Sequence, residues 1–143
     1  MKRRMLRATS AIFLGCASIA FAQSPIAGTW QGRIHDLPAI RLTLRETSGR
    51  LSGNIVFYMI RNDGSGYYED SKSAGPPTEL TNLRFDGRTL TFEVSHRQAH
   101  PPSTLNDTEP VRFQMDLTGK DEGRLKRLNY GADESPLIMR REK

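Results

Sequence analysis

Apolar side chains recur at every second position along several short runs of this chain, and turn residues separate the runs. Residues 39–47 read AIRLTLRET, in which Ile40, Leu42 and Leu44 alternate with Arg41, Thr43 and Arg45. A period of two places alternate side chains on opposite faces of an extended strand, one buried and one wet. After the turn Ser48-Gly49-Arg50, residues 51–60 put Leu51, Gly53, Ile55, Phe57 and Met59 on one face. In the second half of that run Val56, Tyr58 and Ile60 are apolar too, so both faces are expected to be covered there. Residues 80–85 lead into Asp86-Gly87, a favoured hairpin turn. Residues 89–95 follow with Leu90, Phe92 and Val94, and residues 111–117 with Val111, Phe113, Met115 and Leu117. Residues 29–35 form a first strand, and 124–130 and 137–141 are weaker ones.

Seven to nine short strands with turns between them predict an all-β fold. Strands with one polar face are usually antiparallel. The expected architecture is a single antiparallel up-and-down β-barrel of about eight short strands; the alternative is a β-sandwich. Only residues 120–128 offer helical spacing, with Leu125 and Leu128 three apart, enough for one turn or two and interrupted by Gly123. Two long loops are expected, residues 62–78 and 98–110. Long loops in a β domain are often functional.

The chain of 143 residues carries a formal charge of +5. That charge is not spread evenly. Lys2, Arg3, Arg4 and Arg7 precede the apolar stretch 11–19 and the small-x-small triplet Ala20-Phe21-Ala22. This is the pattern of a secretory signal peptide over residues 1–22, cut before Gln23. The stretch is too short to span a bilayer. The protein is therefore expected to be exported, to a bacterial periplasm or beyond. A lesser alternative is a lipoprotein anchored through Cys16, since Leu14-Gly15-Cys16 is lipobox-like, although Phe13 and the apolar run continuing to Phe21 depart from that pattern. Residues 23–143 would form the one domain. They hold 17 basic against 16 acidic residues, too balanced for the basic face that nucleic-acid binding requires. Cys16 is the only cysteine, so residues 23–143 can form neither an internal disulfide nor a Cys-ligated zinc site.

The expected domain opens Gln23-Ser24-Pro25-Ile26-Ala27-Gly28-Thr29-Trp30. Gly28-x-Trp30 at the head of a first strand resembles the signature of the calycins, the superfamily of lipocalin and avidin-like barrels. The resemblance implies that Trp30 plugs the closed end of the barrel. It also implies that a basic side chain near the C-terminus stacks across the indole, a role that Arg140 or Arg141 suits, with Arg140 the residue assigned here. Such a stack is a favourable cation–π contact. The chain departs from lipocalins proper in lacking a disulfide and a helix after the barrel. It departs from avidin-like proteins in having a single Trp, so no biotin site is carried over. Small secreted metalloprotease inhibitors are similar in size and opening and act through a free N-terminal segment.

Phe57, Met59, Phe92, His96, Phe113 and Met115 form the candidate ligand-binding set, because the alternation points them inward. Aromatic and Met side chains make an adaptable ligand lining but also an ordinary core, and in a small barrel a solid core is favoured over a cavity. The expected function is a non-enzymatic secreted binding protein holding a small apolar or amphipathic ligand in the barrel lumen. The alternative is a protein-binding module, such as a protease inhibitor, acting through its loops or N-terminal segment. No catalytic residues, metal or cofactor are assigned. Residues 62–70 contain Asp63, Glu69 and Asp70 but place Arg61 and Lys72 where an EF-hand needs oxygen ligands. His96 and His100 leave a strand for a proline-rich loop, with no third ligand nearby, and no G-x-S-x-G elbow is present. Arg124, Lys126 and Arg127 with Arg140, Arg141 and Lys143 read as a solvated basic face.

Overall fold

The computed structural model describes residues 24–65, 68–73, 75–95, 109–129 and 135–143. The expected signal peptide and Cys16 lie outside them, as do His96, His100 and most of the second long loop. Among the described residues there are nine strands: β1 (Gly28–Ile34), β2 (Leu37–Thr47), β3 (Arg50–Asn62), β4 (Tyr68–Ser73), β5 (Thr78–Phe85), β6 (Thr89–Val94), β7 (Val111–Leu117), β8 (Glu122–Arg127) and β9 (Leu137–Arg141). Every pairing is antiparallel.

Eight of the strands close into an up-and-down barrel. β1 pairs with β2 on one side and with β9 on the other, so that Trp30 stands opposite both Leu42 and Arg141. β2 pairs with β3 over eight residue pairs, and β3 passes to β5 through only Asn54↔Glu79 and Ile55↔Thr78. From there β5 to β9 follow in chain order. Closure leaves no long open edge on the barrel. The β2–β3 ladder ends at Ile40↔Phe57. Two residues before Ile40 stands Pro38, which has no N–H to give to a ladder. Beyond that point β3 pairs with β4, from Tyr58↔Ser73 to Asn62↔Tyr68.

The two ends of the barrel are connected differently. At the end where β1 starts, the turns are tight. Ser48 and Gly49 join β2 to β3 with φ of 51° and 73°, the paired positive values of a type I′ hairpin turn. Asp86 accepts the amides of Arg88 and Thr89 at 2.9 and 2.7 Å and so holds the β5–β6 turn. These bonds to its charged form keep the Asp86 carboxyl below the ordinary carboxylate value. The amides of Thr118 and Gly119 reach back to the Glu122 carbonyl in the β7–β8 turn. At the other end His35-Asp36 is a two-residue turn, whereas residues 95–110 connect β6 to β7 and 128–136 connect β8 to β9.

One apolar cluster fills the barrel between these ends. It includes Ile26, Trp30, Leu42, Leu44, Ile55, Leu90, Phe92, Phe113, Met115, Leu125 and Met139. Fully burying each such side chain contributes about 1.5–3 kcal/mol. Gly53 belongs to the inward face because a Cβ there would lie 2.5 Å from the Thr43 carbonyl oxygen and 2.9 Å from Leu44. Close approach of backbones, not flexibility, accounts for this glycine.

The weaker strand expected at 124–130 is β8, which starts two residues earlier and whose Gly123 and Leu125 point inward and pair with Met139 and Leu137. One expectation is corrected. The loop expected over 62–78 contains β4, whose sequence YEDSKS shows no apolar alternation. β4 is a strand because β3 offers it a ladder, not because its own pattern demands one.

Candidate functional site

The barrel end where β1 begins is sealed by Trp30. Its position follows from the parity of β1, in which Trp30 and Gly32 face inward and are buried. The chain before β1 folds beneath it, and the Trp30 Nε1–H donates to the Ile26 carbonyl at 2.9 Å. That bond satisfies the one polar atom of a fully buried indole. Ile26 is itself fully buried, and the Ser24 amide donates to Glu46 at 2.7 Å.

Arg141 completes the seal. Its guanidinium carbon lies 4.4 Å from the Trp30 ring centroid. Its nitrogens donate to the carbonyls of Ala27 and Pro25, and Nη2 also reaches the Lys120 carbonyl at 3.3 Å. Nε pairs with Asp121 at 3.0 Å, and the Arg141 amide donates to the Asp121 carbonyl at 2.9 Å. One side chain thus ties the N-terminal segment, the β7–β8 turn and the last strand together. Gly28 makes room for it. Its φ is +132°, and a Cβ there would lie 2.7 Å from Arg141 Nη1. The three residues Gly28, Trp30 and Arg141 are therefore one steric unit.

The assignment of the stacking role to Arg140 is corrected. Arg140 points away from the interior, its side chain is 77% exposed, and it meets Glu122 only at 3.8 Å. The physical reason is strand parity: Leu137, Met139 and Arg141 share one face of β9, and Met139 is fully buried. Beyond Arg141, Glu142 donates its amide to the Thr29 carbonyl and pairs with Arg41 at 2.7 Å. Glu142 stabilises the charged form of Arg41 and raises its pKa.

Toward the opposite end, three phenylalanines from three strands meet. Phe92 of β6 and Phe113 of β7 are directly paired in the ladder and stack at 5.3 Å with 13° between their planes. Phe57 of β3 approaches Phe113 at 6.1 Å in a tilted contact. Phe92 and Phe113 are buried, while Phe57 is half-buried against the same cluster. Met115 is fully buried two residues deeper on β7. Met59 does not line the interior as expected. It is 62% exposed, on the part of β3 that has passed the end of the β2 ladder. His96, the sixth member of the set, lies outside the described residues.

The described polar side chains mostly serve the frame. Asp63 accepts the amide and hydroxyl of Ser65 at 2.8 and 2.6 Å within its own loop. Asp116 accepts Thr89 at 2.9 Å and Gln114 at 3.0 Å. Among the described residues no three His, Cys, Asp or Glu side chains converge as metal ligands would. Among them, too, no helix is long and apolar enough to cross a membrane. No protein-family model, curated protein or solved structure matches this chain. The class is accordingly defined by the geometry: a closed eight-stranded antiparallel barrel, sealed at one end by a Trp–Arg stack and carrying aromatic side chains toward the other.

Proposed function

We propose that this chain is an exported, non-enzymatic binding protein of the calycin type that holds a small apolar or amphipathic ligand at the end of the barrel opposite Trp30. The observation that carries the reading is the Phe57–Phe113–Phe92 group, set toward the end with the long connections. Small ligand sites are lined mainly by apolar and aromatic side chains and occur in the mouths of β-barrels. Phe57 is half-buried, so an arriving apolar group would gain contact with it. Export rests on the leader sequence, and membership of the calycins on Gly28-x-Trp30 together with the Arg141 stack. The alternative through a free N-terminal segment is less well supported, because Ser24–Ala27 are bonded into the sealed end.

Native mass spectrometry on protein recovered from the compartment that contains it is the direct test. The expected result is a chain carrying a reproducible extra mass that denaturation releases. A bare chain that also shows no saturable uptake of environment-sensitive apolar dyes would overturn the proposal.

A further inference from the structure

The outer wall formed by β8, β9 and β1 combines cationic side chains with exposed apolar ones. Its outward face carries Arg33, Arg124, Lys126 and Arg140, against Glu122 as the one acidic residue in these three strands. Among the described residues two exposed large hydrophobic side chains, Leu128 and Ile138, lie on the outward face of these strands or directly after them.

The register explains the grouping. Ile138 faces outward opposite Arg124 on β8, and the pairing of Gly32 with Met139 brings Arg33 to its other side. Arg140 lies one outward position further along β9, opposite Gln31 and Glu122. Gln31, Arg33, Ile138 and Arg140 line one shallow depression. Asp36 and Glu142 border it, but Glu142 is engaged by Arg41. Asp116 on the neighbouring strand lies opposite Arg124 and keeps its charge while accepting from Thr89 and Gln114. Within β8, β9 and β1 themselves the outward cations Arg33, Arg124, Lys126 and Arg140 still outnumber the one carboxylate, Glu122.

We infer that this wall docks the barrel on an anionic lipid bilayer. Cations attract the headgroups, and apolar side chains set among them gain by entering the headgroup–acyl boundary. The aliphatic stems of Arg and Lys add apolar contact while their heads stay among the phosphates. A soluble polyanion would use the cations but leave Ile138 and Leu128 without a role, and this favours a lipid surface. The inference does not depend on whether the barrel holds a ligand.

The test is flotation of the chain beginning at Gln23, which contains all nine strands, with vesicles of phosphatidylcholine alone or mixed equally with phosphatidylglycerol. Binding to the mixed vesicles is expected at low salt, with little to phosphatidylcholine alone. The triple variant Arg33→Gln, Arg124→Gln, Arg140→Gln is expected to lose on the order of 100-fold in partitioning. Ile138→Asn is expected to lose roughly fivefold on the vesicles while leaving retention on dextran sulfate unchanged. Far-UV circular dichroism on each variant checks that the barrel persists. Three outcomes would overturn the inference: no binding to the mixed vesicles, binding that the triple variant retains, or retention on dextran sulfate without vesicle binding.

Discussion

The two ends of this barrel use aromatic residues in opposite ways. At the sealed end Trp30 is fully enclosed, its N–H is bonded, and Arg141 lies across its face. Tight turns surround it, and the chain from Ser24 to Ala27 is tied underneath. At the other end the side chains of Phe57, Phe92 and Phe113 meet ring to ring, and Phe57 retains contact with solvent. Hydrogen bonds and ion pairs are directional, so the sealed end has one arrangement. Apolar contacts are not directional, so the aromatic end can accept a further apolar group without breaking a bond. The difference separates what holds the fold from what the proposed binding would use.

The largest effect is expected at the seal. Trp30→Ala removes the biggest buried side chain and strands the Ile26 carbonyl, at a cost of about 3–5 kcal/mol. Urea denaturation followed by circular dichroism reads this as a large drop in midpoint. A loss under 1 kcal/mol would mean that Trp30 is not the keystone of this end.

Arg141 and Arg140 form a matched pair for the next test. Arg141→Gln is expected to cost about 2 kcal/mol, because a partly buried cation–π contact and several carbonyl bonds go together. Arg140→Gln is expected to stay within about 0.5 kcal/mol, as an exposed and loose ion pair should. Equal losses would erase the distinction drawn from β9 parity.

Phe57→Ala probes the other end. Its side chain is half-buried, so the stability loss should be about 1–2 kcal/mol, smaller than at Trp30. Saturable uptake of an apolar dye should fall by about tenfold or more if Phe57 lies at the ligand site. Unchanged uptake would move any site away from the three phenylalanines.

The smallest effect is expected at Asp86. Its carboxyl is held below the ordinary value of 3.8 by the amides of Thr89 and Arg88. A depressed folded-state pKa adds stability that is fully present above the unfolded value and is lost as the pH falls through the folded one. The stability gap between the native chain and Asp86→Ala should therefore be flat near neutral pH and shrink below 3.8. A gap that grows on acidification would show the opposite sign and remove the turn-capping role.

Much of the barrel was legible because alternation reports burial directly. Residues 111–117 were readable as β7 to the residue, and Leu42, Leu44, Phe92, Phe113 and Met115 were readable as inward. The seal was half legible. Gly28-x-Trp30 pointed to the indole, but two adjacent arginines left the cation open. The parity of Leu137 and Met139 favoured Arg141, yet Ile138 on the other face is apolar too and blurred the signal. Met59 misled for a related reason: alternation places it on the inward face, but cannot tell where the neighbouring ladder stops.

By itself the sequence determined most of the residues that face in, the turns at Ser48-Gly49 and Asp86-Gly87, and that the chain is all-β. Each of these depends on a residue and its near neighbours along the chain. The tertiary structure alone decided the closure of β1 onto β9, the strand state of β4, the choice of Arg141 and the meeting of Phe57 with Phe113. Those depend on which strands lie side by side and in what register. A period of two carries a side chain's face but not its cross-strand partner, and the partner is settled only when all the strands pack at once.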